Sequence, residues 1–470
     1  MSDQGRGRSG RAEVFSNDQR VEASLRHSIK DGVFFSFMTG GSESYFSAFA
    51  IFMQASAPMI GMLASLPPLL ASFMQILSAW IGRKFGGRKN LIVAGALFQA
   101  VCLIPLAFIP VFVPVNGVVL LIPLVFLYLC GPNIGAPQWN SLIGELLPES
   151  RRGRFFARRT KISSVATVVA LSLSGIVLDV FDRLTEAYWG FVTIFILGCV
   201  ARCVSAYHLY SMHDPSDKTA ALALPADRGF WQRLRQTKLL KFTLFFASMQ
   251  FAVAISGPYF ALYLLRDLGL SYFEFMIISL ASVLIQFLTL NRWGRLSDLF
   301  GNRVILVTTG SLITFIPSLW LVSTDIYWIM VVQTLSGLSW AGFTLSATAF
   351  VFDLTPKEHR ATFFAVHNVL AALGVFLGAS LGALIVHYVP EVITFGGISL
   401  PIFTPLYGLF LISCLVRLAV AVAFLPLLEE VRRVRPMSMG GLIFRVTRMH
   451  PISGIVFDIV GRKPRAELDP

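Results

Sequence analysis

Twelve apolar stretches dominate this chain, and each is about twenty residues long, enough to cross a lipid bilayer as a helix. The chain is 55% hydrophobic and 14% charged, far more apolar than an ordinary soluble domain. Backbone polar groups cannot stay unpaired in lipid, so these stretches should be helical. The sequence therefore predicts an all-α membrane protein with transmembrane helices, numbered spans 1 to 12, at residues 29–53, 58–81, 91–111, 117–143, 158–180, 187–209, 241–264, 272–291, 304–322, 326–351, 363–387 and 402–426.

Short motifs recur in the same order in the two halves of the chain, at nearly constant spacing. The recurring residues are Phe85-Gly86 with Phe300-Gly301 (offset 215), Pro148 with Pro356 (offset 208), Arg202 with Arg417 (offset 215) and Tyr45 with Tyr259 (offset 214). Such spacing indicates an internal duplication. We expect two pseudo-symmetric six-helix bundles at 29–210 and 241–427, a central cytoplasmic loop at 211–240, and cytoplasmic tails at 1–28 and 428–470.

The basic residues indicate the orientation of the chain in the membrane. Of 39 lysines and arginines, 35 fall in the tails and in the loops after even-numbered spans, while Arg183 and Arg266 fall in loops on the other side. By the positive-inside rule both termini are cytoplasmic, and we expect a plasma or inner cell membrane. Arg202 and Arg417 lie within spans 6 and 12, where we expect their side chains to extend to the lipid headgroups. We also expect Asp31, at the start of span 1, to be interfacial.

The net charge of +13 does not indicate a nucleic-acid partner, because the charges stand in short loops beside membrane spans. All five cysteines fall inside spans, without the spacing of a metal site or of a disulfide framework. The chain also lacks a Gly-x-x-x-x-Gly-Lys-Ser/Thr phosphate-binding loop and a Gly-x-Ser-x-Gly nucleophile motif. We therefore expect no enzyme activity, no cofactor, no metal and no nucleic-acid partner. Lipid surrounds the chain, which we expect to be a monomer.

A short basic turn between spans 8 and 9 carries the most specific motif. Gly294, Asp298, Gly301 and Arg303 are spaced as Gly-x-x-x-Asp-x-x-Gly-x-Arg. With this motif, twelve spans in two related halves and a central loop, the chain resembles the major facilitator superfamily (MFS) of secondary transporters over nearly its whole length. The resemblance implies the MFS fold and a motif that governs conformational change.

The first-half copy of this motif keeps Gly86 and Arg88 but has Arg83 at the position of Asp298. The equivalent acid is therefore missing from the first half. For the second half, we expect Asp298 to face the basic start of span 5 in one conformation and to interlock the two helices there. The expected partners of Asp298 are Arg154, Arg158 and Arg159. A tight charged turn without a conformational role is the alternative.

In the family that this chain resembles, the substrate cavity lies between the halves and is lined mainly by spans 1, 4, 7 and 10, with spans 2, 5, 8 and 11 contributing. Polar and aromatic residues at membrane depth in these spans are therefore the candidates for its lining, since intramembrane amides tend to face protein or water. The candidates are Tyr45, Asn133, Trp139, Asn140, Gln250, Tyr259, Gln286, Gln333 and Trp340.

Glu43 is the most unusual residue, because it is a carboxylate near the middle of span 1. A carboxylate at membrane depth is costly unless it is protonated, paired or open to an aqueous cavity. Such a group suits proton binding and release, so we expect Glu43 to couple transport to protons. The alternative is a structural acid that backbone groups or serine hydroxyls satisfy.

These features together predict a secondary active transporter that moves a small solute by alternating access, coupled to protons through Glu43. One alternative keeps the fold and changes the substrate to a lipid or another amphiphile. The other is a member of the superfamily that has lost transport and acts as a sensor or assembly factor. Proton movement that depends on a substrate would separate the first reading from both.

Overall fold

The computed structural model describes residues 16, 18–75, 77–78, 87–113, 117–147, 149–215, 238–355, 360–388, 392–395, 398–401 and 404–430. Gly86, most of the central loop and most of both tails lie outside these residues. In the described part of the chain, ten helices are long and apolar enough to cross a membrane. Span 1 is interrupted and span 2 has a described helix of 16 residues, which accounts for the remaining two of the twelve predicted spans.

The first half begins with a helix that a short turn interrupts. The turn is a 3-10 turn at Glu43–Tyr45, between helices α1 and α2. The helices are α1 (Gln19–Gly41), α2 (Phe46–Phe52), α3 (Ala57–Ser72), α4 (Arg88–Phe112), α5 (Gly117–Leu146), α6 (Glu149–Arg183) and α7 (Ala187–Tyr210). They correspond to predicted spans 1 to 6, with α1 and α2 sharing span 1.

The second half repeats this order. Its first span is also interrupted, and a π-helical turn at Tyr263–Asp267 ends it. The helices are α8 (Lys238–Ala254), α9 (Tyr259–Leu262), α10 (Tyr272–Phe300), α11 (Asn302–Leu319), α12 (Ile326–Leu354), α13 (Arg360–Tyr388) and α14 (Leu406–Phe424). A short antiparallel hairpin, β1 (Val392–Phe395) with β2 (Ile398–Pro401), joins α13 to α14 and was not predicted.

The two interruptions occupy equivalent positions, because Ser42 and Ser256 are 214 residues apart. Each serine is fully buried. The Ser42 hydroxyl donates to the Ile194 carbonyl at 2.8 Å, and the Ser256 hydroxyl bonds to that of Ser413 at 3.0 Å. In the second half Pro258 has no backbone N–H, so an uninterrupted helix would lack one hydrogen bond there. Both breaks are therefore held by serines that bond to the last span of their own half.

Helix packing follows the duplication. In the first half α1 packs against α6 and α7, and in the second half α8 packs against α13 and α14. The halves meet mainly along two helix pairs, α6 with α10 and α3 with α13, and α9 also contacts α2 and α3. Exposed basic residues gather at one end of the bundle, which we name the basic side; they include Lys241, Arg292, Arg295 and Arg303. The other end is named the opposite side.

Candidate transport site

On the opposite side, the two halves are packed tightly together. Gly175 of α6 lies against the side chain of Met276 of α10, and no room remains there for a Cβ atom. On the second helix pair, Gly61 of α3 lies against the Tyr259 hydroxyl, again without room for a Cβ. Small residues are needed where helices approach this closely. These two contacts form what we name the opposite-side seams.

On the basic side, the exposed residues of α5 and α12 lie on a different face of each helix from the exposed residues nearer the opposite side. In α5 the exposed Leu127 is followed thirteen positions later by the exposed Asn140, about 220° further round the helix. In α12 the exposed Val331 and Thr344 show the same change over the same thirteen positions. Leu127 and Val331 face outward as lipid-facing residues do. Asn140 and Thr344 therefore face an opening between the helices on the basic side.

The opening is pseudo-symmetric. Asn140 and Thr348 are both exposed and are 208 residues apart, the offset that relates these parts of the two halves. Ala136 and Thr344 form a second exposed pair at the same offset. Ala136 lies ten residues before the end of α5, or about 15 Å along the helix axis. The opening therefore extends from the basic side to about the middle of a bilayer.

The other predicted lining residues of α5 face different neighbours. Asn133 is partly buried, accepts a hydrogen bond from Gln75 at 2.8 Å, and donates to the Leu129 carbonyl at 2.8 Å. Its amide therefore joins spans 2 and 4 within the first half. Trp139 is partly buried, and the Arg159 guanidinium lies over its ring at 4.5 Å. Trp139 also packs against a buried hydrophobic cluster of the first half, so it lies inside that half, one residue before the exposed Asn140.

Four of the predicted residues of the second half, all except Tyr259, are partly buried. Gln250 of α8 has a buried Oε1 with no hydrogen-bond partner in the described residues. Gln286 of α10 is 3.5 Å from the Ser282 hydroxyl. Trp340 of α12 packs edge-on against Phe343. Gln333 of α12 is also partly buried. Gln250 is the strongest candidate among them, because a buried amide oxygen needs a donor from a bound molecule or from a rotated neighbour.

Tyr45 and Tyr259, predicted as cavity-lining residues, do not reach the opening in this conformation. Both side chains are fully buried. The Tyr45 hydroxyl donates to the Leu171 carbonyl at 2.8 Å, and the Tyr259 hydroxyl donates to the Ala379 carbonyl at 3.0 Å. Both tyrosines therefore take part in the opposite-side seams.

Glu43 lies in the interruption of span 1, and its contacts are within the first half. The carboxylate is partly buried and accepts a 2.9 Å hydrogen bond from the fully buried Tyr128 hydroxyl. The buried Gln99 of α4 lies near the same hydroxyl, and its Oε1 has no hydrogen-bond partner in the described residues. Arg202 is near enough for its charge to act on Glu43. Tyr128 and Gln99 were not predicted, although their polar groups at membrane depth, in spans 4 and 3, were the available signal.

Asp31 is buried, contrary to the interfacial position that we expected. Only 4% of its surface is exposed, and it forms a 3.1 Å ion pair with Arg159. The Ser205 hydroxyl donates to Asp31 at 2.7 Å, and Arg202 donates to the same hydroxyl at 2.7 Å. An apolar environment makes a charged partner for a buried carboxylate valuable, and two helices, α6 and α7, supply the partners of Asp31 here.

The expectation that Arg202 and Arg417 extend to the headgroups was wrong. Their residue exposures are 6% and 2%. Arg202 lies 3.8 Å from Asp31, while Arg417 donates to the Ile313 carbonyl at 3.0 Å and to the Ser256 hydroxyl at 3.0 Å. Buried partners therefore hold both guanidinium groups inside the protein: Asp31 and the Ser205 hydroxyl for Arg202, and backbone carbonyls with the Ser256 hydroxyl for Arg417.

The first-half copy of the motif contains a buried ion-pair group. The Arg88 side chain is fully buried and bonds in a two-pronged manner to Glu145, at 2.9 and 2.7 Å, and to Asp214. Its equivalent Arg303 is exposed; its backbone N–H donates to Glu430 at 2.9 Å, and its guanidinium contacts the Leu428 carbonyl. Each arginine therefore ties the start of the third span of its half to the segment after the last.

The second-half motif forms the turn between α10 and α11. Gly301 has a φ of +84°, which favours glycine and explains its place in the motif. Gly294 is partly buried within α10, and Asp298 is exposed near the end of that helix. The predicted interlock of Asp298 with span 5 stays a prediction.

The three arginines expected to interlock with Asp298 all lie in α6. The Arg154 side chain is outside the described ones, and Arg158 is partly buried. Arg159 instead pairs with Asp31 and donates to the Ser28 carbonyl at 3.1 Å. In this conformation the side chain of Arg159 therefore bonds to residues of the first half. Among the described residues, no group of three or more histidine, cysteine or acidic side chains could hold a metal ion.

Comparison with known proteins adds a family and a set of similar structures. The model of the family described as MFS_1 like matches residues 28–397. A variant of the nucleoside transporter NupG has a TM-score of 0.67 at 14% identity, over 87% of this chain and 100% of that one. A D-xylose-proton symporter has a TM-score of 0.65 at 13% identity, over 88% and 99% of the two chains.

A third similar structure is a POT family transporter in complex with 5-aminolevulinic acid. Its TM-score is 0.61 at 13% identity, over 87% of this chain and 96% of that one. At such identities these likenesses establish the fold alone. No curated protein sequence matches the chain significantly.

Proposed function

We propose, on the basis that this chain belongs to the MFS_1 like family, that it is a secondary active transporter that moves a small solute across a membrane by alternating access. Family and fold identify a multi-pass membrane protein of the transporter class and not an enzyme. The substrate, the proton coupling, the orientation and the two-bundle domain boundaries are part of the proposal.

The observation that carries the proposal is the contrast between the two ends of the bundle. On the opposite side, Gly61 and Gly175 bring the halves into direct contact. On the basic side, the equivalent residues Asn140 and Thr348 are exposed. Alternating access needs one closed and one open end around a site near the bilayer middle. A rocking of the two halves about the seams would exchange the two ends.

The loop charges support an orientation with the basic side in the cytoplasm, by the positive-inside rule. In that orientation this conformation is open to the cytoplasm. Both termini would also be cytoplasmic, in a plasma or inner membrane. The two bundles at 29–210 and 241–427 would then be the rocking units.

Glu43 is proposed as the proton-coupling residue. Its Tyr128 hydrogen bond holds the carboxylate in the interruption of span 1, where the backbone can adjust. A tyrosine hydroxyl can donate to either protonation state of a carboxyl group, so the bond permits proton binding and release. The proximity of Arg202 adds a cation that would stabilise the ionised form.

The test is proton movement in proteoliposomes that contain a pH-sensitive dye, with a library of small solutes, for the wild type beside Glu43→Gln. We expect one solute class to move protons, and the substitution to abolish that movement. Glu274→Gln is the matched control, because Glu274 is a helix-capping carboxylate at the start of α10. Proton coupling that survives Glu43→Gln would exclude the coupling role. Solute uptake without proton movement would support the transporter function and exclude proton coupling.

A further inference from the structure

The charged groups near Glu43 are confined to the first half. Arg202 and Arg417 are equivalent, and both are buried. The second-half positions equivalent to Asp31 and Glu43, at an offset of 214, are Phe245 and Gly257. In the described part of the chain Arg417 has carbonyl and hydroxyl partners and no acidic one. The arginine is therefore common to both halves, whereas the two carboxylates are an addition to the first.

In the first half, the four charged groups Asp31, Glu43, Arg159 and Arg202 balance. With Glu43 ionised, two carboxylates and two guanidinium groups sum to zero. With Glu43 protonated, the same group carries one positive charge. A buried charge without a partner is costly, so the group has to rearrange or open to water.

Asp31 connects the members of this group. It pairs with Arg159 at 3.1 Å and, through the Ser205 hydroxyl, with Arg202. The Arg202 guanidinium lies over the Phe35 ring at 4.7 Å, one helical turn from Asp31 on the way to Glu43. The Arg202 Nε is buried and has no partner in the described residues. The Arg202 guanidinium therefore lies between the levels of Asp31 and Glu43 along the first span.

Arg159 connects the group to the opening. Its guanidinium lies over the Trp139 ring at 4.5 Å, and its side chain is 21% exposed. Trp139 directly precedes the exposed Asn140. A displacement of Arg159 from Asp31 would therefore change its contact with Trp139, the residue before Asn140 in the α5 wall of the opening.

We infer that Asp31 is the positioning residue of proton coupling. It holds Arg159 and Arg202 in one neutral group with Glu43. A change in the charge of Glu43 therefore alters the contacts of Arg159 beside the wall of the opening. This inference rests on the proposed role of Glu43. When Glu43 takes up a proton, Arg202 turns fully to Asp31. Arg159 is then released from its pair towards the water of the opening.

Other titratable groups also face these residues. They act on Arg202 or on the adjacent His208 through space. They are Tyr128 of α5, Cys203 and His208 of α7, and His27 and Lys30 of α1.

The test measures the opening directly and needs no substrate. Spin labels at Asn140→Cys and Thr348→Cys, with Cys199 and Cys203 replaced by serine, report the distance across the opening between pH 5 and 9. The wild type should show a pH-dependent distance change, and Glu43→Gln should remove it. In Asp31→Asn both arginines are left to stabilise the ionised Glu43 alone. The midpoint should then move to lower pH by about one pH unit or more.

Two further variants separate an effect on the positions of the two arginines from an effect on folding. Asp31→Glu keeps the charge and should restore a midpoint close to that of the wild type. Ser205→Ala loosens the contact between Asp31 and Arg202 and should move the midpoint in the same direction by less. An Asp31→Asn protein that folds and keeps the wild-type midpoint would overturn the inference, even if its thermal stability falls. If Asp31→Asn does not fold, an unmoved midpoint in Ser205→Ala would overturn it instead.

The result for Glu43→Gln separates the proposed role of Glu43 from the inferred role of Asp31. A pH-dependent change that persists in Glu43→Gln would remove the proposed role of Glu43, and the inference about Asp31 with it. A change that Glu43→Gln abolishes and Asp31→Asn leaves unmoved would keep the role of Glu43 and reject only that of Asp31. A wild type whose distance is the same at all pH values would contradict both.

Discussion

The hydroxyl of Tyr259 donates a 3.0 Å hydrogen bond to the backbone carbonyl of Ala379, directly beside the place where Gly61 of the other half packs. The equivalent Tyr45 makes the same bond to the Leu171 carbonyl at 2.8 Å. Each bond joins the first and fifth spans of one half at the point where a helix of the other half arrives. The duplicated tyrosines therefore shape both opposite-side seams.

Removing either tyrosine hydroxyl should cost a modest and similar amount of stability. Tyr45→Phe and Tyr259→Phe each lose one buried hydrogen bond, worth about 1 kcal/mol. Thermal unfolding in detergent measures the effect. Tyr327→Phe is the control, because that side chain is 76% exposed and should be neutral. Equal melting temperatures for all three variants would show that the two bonds contribute nothing.

A methyl group at Gly61 should prevent closure of its seam. The new Cβ in Gly61→Ala would overlap the Tyr259 hydroxyl, and such overpacking costs about 1–3 kcal/mol. The seam should open, and the opening on the basic side should narrow. The distance between labels at Asn140→Cys and Thr348→Cys then becomes shorter.

Gly135→Ala is the matched control for this experiment. Its Cβ would be 3.7 Å from the nearest heavy atom, which is an ordinary contact. The label distance should therefore stay as in the wild type. The same shortening in both glycine variants would mean that the seam is not the cause.

Arg88 should be among the most sensitive charged residues of the fold. Arg88→Gln leaves Glu145 and Asp214 without their shared partner; breaking a buried ion pair in this way costs about 3–5 kcal/mol. Glu145 is partly exposed at 39% of its side chain, so the lower end of that range is expected. Thermal unfolding in detergent measures the loss.

Arg183→Gln is the comparison variant for Arg88, because Arg183 pairs with Asp179 while 74% of its side chain is exposed. Its effect should not exceed about 1 kcal/mol. Similar losses in the two variants would show that burial of Arg88 does not matter to stability.

Asp298→Asn tests the interlock expected from the motif. If Asp298 holds α10 to the basic start of α6 only when the basic side is closed, its loss favours the open form. The label distance across the opening should then shift to longer values. Asp182→Asn, an exposed acid at the other end of α6, should leave the distance unchanged. An unchanged distance in Asp298→Asn would favour the simple charged turn.

The sequence predicted the helices well, because the signal is a continuous apolar run and not a subtle periodicity. The predicted span at 117–143 is Gly117–Leu146 in the structure, and 187–209 is Ala187–Tyr210. The errors concern side chains with several possible environments. Arg202 and Asp31 stand towards the ends of the predicted spans, where either a headgroup or an internal partner could satisfy them, whereas in the structure Asp31 lies in the middle of α1, which begins at Gln19.

The sequence by itself determined the number and order of the membrane helices, their duplication and the position of the unusual acid Glu43. It could do so because lipid permits few backbone solutions, and because repeated motifs keep their spacing. Only the tertiary structure decided which groups meet. Tyr128 reaches Glu43 from 85 residues away, and Asp31 meets Arg159 from 128 residues away. Such pairs depend on how helices rotate and cross, which the apolar pattern of a single helix does not specify.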